Sequence, residues 1–254
     1  ANISYFFQKT ELFLKLGVND QNLRLPGDRS VNFTTGVDDF SYDRKGSDDP
    51  FDFAIENGSF FTTGFIQSIN NNTELLVDMG YKTKETDLFL KANQEFRTTN
   101  HSNLYFSPKL KWKFKLFEKQ HKIDLGFDIY HYQFNLDIEN RTSAETDHEI
   151  AQAQHRIDIE QENYSFYIND FFELSDKTFF QIGGRLQHTD VDAFDQFDSN
   201  AALNFGSNSN QRAALNKSDR GYMANLGLKH NFNSDFSGHV TAGQSIRFAN
   251  NDDF

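Results

Sequence analysis

Leu104-Tyr105-Phe106-Ser107-Pro108-Lys109-Leu110-Lys111-Trp112-Lys113-Phe114-Lys115-Leu116 is the stretch on which the reading of the fold turns. Leu104, Phe106, Leu110, Trp112, Phe114 and Leu116 fall on one parity, interrupted only by Pro108, while Ser107, Lys109, Lys111, Lys113 and Lys115 fall on the other. Successive side chains of a strand point to opposite faces. The stretch therefore has one apolar and one cationic face as a strand, whereas a helix would scatter the lysines all round. It is expected to be a strand.

Working outward, the same period of two recurs along the chain. Leu75, Val77, Met79 and Tyr81 alternate with Glu74, Asp78 and Lys82; Ile123, Leu125, Phe127 and Ile129 alternate with Asp124, Gly126 and Asp128. Tyr164, Phe166, Ile168, Phe172 and Leu174 alternate with Ser165, Asn169 and Glu173, and Phe180, Ile182 and Leu186 with Gln181, Gly183, Arg185 and Gln187. Tyr222, Ala224, Leu226 and Leu228 oppose Asn225, Gly227 and Lys229. Phe236, Val240, Ala242, Ile246 and Phe248 oppose Ser237, His239, Thr241, Ser245 and Arg247. Residues 3–8, 11–18 and 60–69 complete ten expected strands.

The connections take turns between two kinds. Short polar turns are expected at 8–10, 70–72, 118–120, 175–177 and 233–235. Longer links, rich in Asp, Asn, Ser and Gly, are expected at 19–58, 93–101, 139–155 and 191–218. Successive connections of a meander lie at opposite ends of the sheet, so one end carries every tight turn and the other every long loop. The loops hold much of the acid: Asp38, Asp39, Asp43, Asp48, Asp49 and Asp52 in the first, Asp192, Asp195 and Asp198 in the last.

Composition narrows the class. The 254 residues carry 25 basic and 37 acidic side chains, a net charge of −12, and no Cys. Disulfides, zinc–thiolate sites and Cys nucleophiles are excluded, and the acidic balance argues against a nucleic-acid surface. Apolar runs are far shorter than the ~20 residues a membrane helix needs. Phe nonetheless takes 29 positions and Tyr nine. An outward apolar surface, with polar residues inward and aromatic girdles at its borders, reconciles that excess with low overall hydropathy.

Alternation alone fits a soluble antiparallel barrel or sandwich equally well. Length separates the two. Residues 74–90 and 122–138 read as extended throughout, against the usual five or six residues per strand. Past Ile129 the apolar parity switches to Tyr130, Tyr132, Phe134, Leu136 and Ile138. That switch implies either a bulge or a strand rising above the bilayer. The expected fold is all-β: an antiparallel meander of about ten strands forming part of a transmembrane β-barrel, with short periplasmic turns and long extracellular loops.

Particular segments resemble a known family. Asp20-Gln21-Asn22-Leu23-Arg24-Leu25-Pro26-Gly27-Asp28 resembles the opening of a long extracellular loop in TonB-dependent outer-membrane receptors. Leu174-Ser175-Asp176-Lys177 followed by Gly183-Gly184-Arg185-Leu186 is similar to that family's turn and Gly-x-Arg-Tyr strand, with Leu186 in place of the aromatic. Gly243-Gln244-Ser245-Ile246-Arg247-Phe248-Ala249-Asn250 resembles its Gly-x-x-Phe-Arg-x-Pro element, with Ala249 in place of Pro. The resemblance runs over nearly the whole chain but only the barrel part of such a receptor. It implies that residues 1–254 are one segment of a barrel domain whose plug and remaining strands lie outside this sequence, against ~22 strands in a plugged transporter. The opening Ala1-Asn2-Ile3-Ser4 has no Met, basic n-region or apolar h-region, and so reads as a mature protein or a window from a longer one.

The implied function is TonB-energised uptake, across the outer membrane of a Gram-negative cell, of a scarce ligand such as a siderophore or other metal complex. The partners are then outer-membrane lipid, a TonB-type inner-membrane complex acting through the plug, and a small-molecule ligand. No enzymatic activity and no cofactor are expected. The alternatives are a passive porin-like channel tuned by Lys109, Lys111, Lys113 and Lys115, and an outer-membrane lipase. The lysines, Arg185 and Arg247 have a plainer reading as partners of inward carboxylates, Asp124 and Asp128 among them.

Other constellations carry no assigned chemistry. His148 and His155, with Glu145, Asp147 and Glu149, read as polar loop residues rather than a metal site. Asp190, Asp192, Asp195 and Asp198 lack EF-hand order and read as a solvated acidic loop. His131, His188 and His230 fall on strands as lumen or interface polarity. No Gly-x-Ser-x-Gly elbow or phosphate-cradling loop is present. No catalytic, metal or cofactor-binding residue is assigned, and no ligand-contacting residue is named.

Overall fold

The computed structural model describes residues 1–25, 52–90, 95–140, 153–201 and 210–245. The strands are β1 (Asn2–Phe7), β2 (Thr10–Arg24), β3 (Phe53–Asn70), β4 (Thr73–Leu90), β5 (Glu95–Leu116), β6 (Lys119–Asn140), β7 (Ala153–Ser175), β8 (Thr178–Asp195), β9 (Leu215–Asn231) and β10 (Ser237–Gln244). Each pairs antiparallel with its neighbours in the chain, giving a single ten-stranded meander. Among the described residues the sheet is open: β1 and β10 have one neighbour each.

All ten expected strands are present, and the tight turns fall at 8–9, 71–72, 117–118 and 176–177, with a bend at 232–235. At the other end the strands outrun expectation. They take in 19–24, 53–58, 95–101, 153–155, 191–195 and 215–218, all read from sequence as loop. The reason is that these polar residues keep the ladder. Asp20, Asn22 and Arg24 pair with Asn57, Ile55 and Phe53, and Asn100 and Ser102 with Glu85 and Thr83. Polarity there marks water on the outer face rather than the end of the sheet. The segment 20–28 thus begins inside β2 rather than opening a loop; residues 26–28 lie outside the described residues, as do 246–250 of the third resembling segment.

Register and contacts between non-neighbouring strands settle which face is concave. Tyr105 of β5 reaches Thr62 of β3 at 3.5 Å, and Arg185 of β8 reaches Asp128 of β6 at 3.2 Å. Side chains two strands apart converge only where a sheet curls over them. The face holding Tyr105, Asp128 and Arg185 is therefore the inside, and the parity of Leu110, Leu125 and Ile182 is the outside.

The outer face changes character at one height. On β6 the outward residues Ile123, Leu125, Phe127 and Ile129 give way to His131, Gln133, Asn135 and Asp137. On β4, Leu75, Val77, Met79 and Tyr81 give way to Thr83, Glu85 and Asp87; on β9, Leu228, Leu226, Ala224 and Tyr222 give way to Arg220, Ser218 and Asn216. The aromatic exceptions above this line are Phe194 and the packed rings of Phe53, Phe89 and Phe96. The inner face inverts the other way. Lys122, Asp124, Gly126 and Asp128 are followed by Tyr130, Tyr132, Phe134, Leu136 and Ile138.

Between His121 and Ile138 the pairing of β6 with β7 has no register shift, so the switch past Ile129 is not a bulge. The strand passes straight on from an apolar surrounding to an aqueous one. Strands of 22 and 23 residues in β5, β6 and β7 exceed the ~9–11 that cross hydrocarbon, and the surplus is the inverted upper part. There Ile157, Ile159 and Val191 form a buried core, packed with Phe134, Leu136, Ala193 and Leu215.

Aromatic residues border the apolar band on both sides. Tyr81, Tyr164 and Tyr222 stand at its upper limit. At the turn end a continuous belt runs Trp112, Phe114, His121, Phe172, Phe180, with ring centroids 4.4, 5.2, 5.0 and 5.2 Å apart in turn. Girdles do not account for every aromatic. Tyr105 and Tyr167 face inward and lie over Gly80 and Gly126, their cross-strand partners. A methyl at Gly80 would stand 2.6 Å from Tyr105 Cε1.

Two measurements test this arrangement. In lipid, Leu110→Arg or Ile182→Arg is expected to cost ~2–4 kcal/mol near the midplane, and Lys111→Arg or Gln181→Arg far less; equal penalties in reversible unfolding would reverse the assigned faces. The turn at Phe117 and Glu118 holds both residues at positive φ, 47° and 63°, the conformation for which Asn-Gly is suited. Phe117→Asn with Glu118→Gly is expected to raise unfolding stability by ~1–2 kcal/mol.

Candidate functional site on the concave wall

The inward residues form three tiers. At the turn end a cavity of about 580 Å³ is lined by Lys113, Lys122, Lys229, His239, Gln181 and Thr241, among others. The expected lysine row does face inward, and half of it is neutralised. Lys109 Nζ lies 3.2 Å from Asp124 and Lys111 Nζ 3.0 Å from Glu74. Lys113 and Lys115 make no ion pair among the described residues, and Lys113, Lys122 and Lys229 share the cavity lining with one carboxylate, Glu173.

The middle tier is a hydrogen-bonded network. Asp128, 6% exposed, accepts from Ser107 Oγ at 2.6 Å and Ser165 Oγ at 3.3 Å and pairs with Arg185. It does not meet the lysine row. The Arg185 guanidinium lies 5.7 Å from the centre of the Tyr167 ring. Tyr105 donates to Asp78 at 2.9 Å and stacks on Tyr130 at 6.0 Å. Thr189 donates to Asn163 at 2.7 Å. Polar groups brought this close on a curled sheet present a pre-ordered wall to whatever fills the interior. Above the outer apolar band, His101 faces the same side. Its pKa is lowered first by burial and then by the charges of Lys82 and Lys84, which favours the neutral ring.

The upper tier corrects two readings. His155 is not a polar loop residue: it lies on β7, 2% exposed, with Nδ1 2.9 Å from Asp195 Oδ2 and its ring 4.9 Å from Phe197. Its proposed companions His148, Glu145, Asp147 and Glu149 lie outside the described residues, as do Asp38, Asp39, Asp43, Asp48, Asp49 and Arg247. Asp190, Asp192 and Asp195 are not loop residues either, because β8 runs through them. Strand alternation sends Asp190 and Asp192 outward and Asp195 inward, so they form no common site. Asp198 accepts from the Asn200 amide, closing a local turn.

His131 and His188 face outward, and His230 accompanies Thr178 at 2.9 Å. One outer pair lies within the apolar band: Asp170 Oδ2 is 2.8 Å from His121 Nδ1. His131 is joined by Glu160 and Glu162, a group that sequence reading passed over. Its signal was the two Glu at i and i+2 on one strand, opposite a His across the hairpin.

No protein-family model matches the chain, and no curated protein matches it. Solved structures do share its fold. The unliganded ferric citrate transporter FecA superposes with a TM-score of 0.75 at 12% identity, over 92% of this chain and 33% of that one. The siderophore receptor PiuA from Acinetobacter baumannii gives 0.71 at 12% identity, over 94% and 40%. A chain of the FpvAI–pyocin S2 complex gives 0.72 at 11% identity, over 94% and 34%. The fold is that of the barrel wall of such receptors, and the chain spans well under half the length of each of these three.

Truncating the central carboxylate tests the middle tier. Asp128→Ala is expected to cost ~1–3 kcal/mol in unfolding, and adding Arg185→Leu to recover part of it, because the uncompensated cation is then removed. A full additive loss in the double variant would show that the two side chains are not coupled.

Proposed function

We propose that this chain is one stretch of the barrel wall of an outer-membrane receptor that imports a scarce ligand, such as a siderophore or other metal complex, in a Gram-negative cell. The observation that carries the reading is the concave wall: polar and pre-ordered over the same height at which the convex wall is apolar. A lipid-embedded wall with a polar interior has to enclose either water or a polar plug. In this reading residues 1–254 belong to a longer barrel domain, and a plug outside this chain occludes the interior. A TonB-type inner-membrane complex supplies the work by acting on that plug. The resemblance of the sequence segments and the likeness in fold to FecA, PiuA and a chain of the FpvAI–pyocin S2 complex support the same class. The chain is assigned no covalent chemistry.

Three lysines against one carboxylate in the cavity lining favour one second reading, a passive pore biased toward anions by Lys113, Lys122 and Lys229. Uptake of a panel of radiolabelled ferric siderophores by iron-starved cells carrying the intact gene separates the two. Energised import is expected to stop when the TonB complex is deleted, with the receptor still present in the membrane. Solute entry that persists without TonB, matched by ligand-independent conductance in planar bilayers, would assign the passive pore.

A further inference from the structure

On the convex face, directly above Tyr164, β6, β7 and β8 carry a group for which the transport reading has no use. His131, Glu162 and Asp190 are successive cross-strand partners. Glu160 and Asp192 form the next pair on the same face. His131 Nδ1 lies 3.5 Å from Glu162 Oε1, and its Nε2 lies 3.6 Å from Glu160 Oε1. One nitrogen or oxygen from each of His131, Glu160 and Glu162 falls within 4.8 Å of the other two. The two contacts use different ring nitrogens, of which one ion can take only one. Closing the 4.8 Å set to the spacing of about 3.4 Å between ligands of a tetrahedral ion needs a small movement of the solvent-facing Glu side chains.

A second observation points to a cation independently. The register sets Glu162 against Asp190 and Glu160 against Asp192, and like charges directly opposite on one face of a sheet repel. Among the described residues no Lys or Arg pairs with any of the four. Their ion-pair partners there are His131, and His188 at 3.0 Å from Asp190. Tyr164 donates to Glu162 Oε2 at 2.8 Å, leaving Oε1 turned to His131.

We propose that His131, Glu160 and Glu162 bind one divalent transition-metal ion of the Zn²⁺ type, clipping β6 to β7 at the upper edge of the apolar band. The imidazole selects a borderline ion over Ca²⁺ or Mg²⁺, which prefer oxygen ligands alone. Three protein ligands leave a fourth position open to water. The site rests on register and side-chain geometry, and not on the transport reading.

The test uses the full-length protein in detergent, stripped with chelator and titrated with ZnCl₂ by calorimetry and thermal unfolding. One Zn²⁺ per chain is expected, with a rise in Tm and no comparable rise with CaCl₂. His131→Ala is expected to weaken binding on the order of tenfold or more. Glu160→Gln with Glu162→Gln is expected to raise the Tm of the metal-free protein, by relieving repulsion, while abolishing the Zn²⁺-induced rise. A simple packing role would not produce those opposite signs. His239→Ala, inside the barrel, is expected to leave zinc binding unchanged. No zinc binding, binding unaffected by His131→Ala, or equal stabilisation by Ca²⁺ would each overturn the proposal.

Discussion

The medium against the outer face changes partway along strands whose hydrogen-bond ladder does not. β6 shows the constraint most plainly: one unshifted register from His121 to Ile138, yet Ile129 and His131 face different surroundings. With the ladder fixed, the only freedom left is which parity carries apolar residues. The lower part must be apolar outside and the upper part apolar inside. Every other feature hangs on that inversion. It accounts for the tyrosines at its height, the buried Ile157, Ile159 and Val191 above it, and the polar tier around Asp128 below it.

Strand count, order and tight turns were legible because alternation beside an apolar band is a strong signal. The upper halves were not legible, for a physical reason. Thr98, Asn100 and Ser102 are compatible with strand or loop, and only their partners Asp87, Glu85 and Thr83 show which. Polar residues on a strand facing water carry no mark that separates them from a solvated link. The same ambiguity placed His155 in a loop, although it is among the most buried side chains of the chain. Pairing across the wall was out of reach altogether. Arg185 and Asp128 lie on strands two apart, and nothing local in either segment names the other.

Aromatic residues serve two trades in this wall. Outward, the run from Trp112 to Phe180 forms a belt in which the rings stack as far as Phe172, and Phe180 packs tilted against the last. Inward, Tyr105 and Tyr167 shield the bare backbone of glycines that let a sheet bend. The inner tyrosines then hold the charged groups in place, through the stack on Arg185 and the hydroxyl bond to Asp78. Curvature and polar organisation of the interior are thus set by the same few side chains.

The open edges bear on how such a wall can come into being. Among the described residues β1 and β10 each have a neighbouring strand on one side of the ladder alone, and an unsatisfied peptide group costs several kcal/mol in hydrocarbon. A partly built wall therefore has no stable resting place within a bilayer. Strands must be laid down against a template that occupies the free edge, or closed into a ring before lipid reaches them. Within hydrocarbon such a wall is complete only where its ladder closes on a partner strand at each edge.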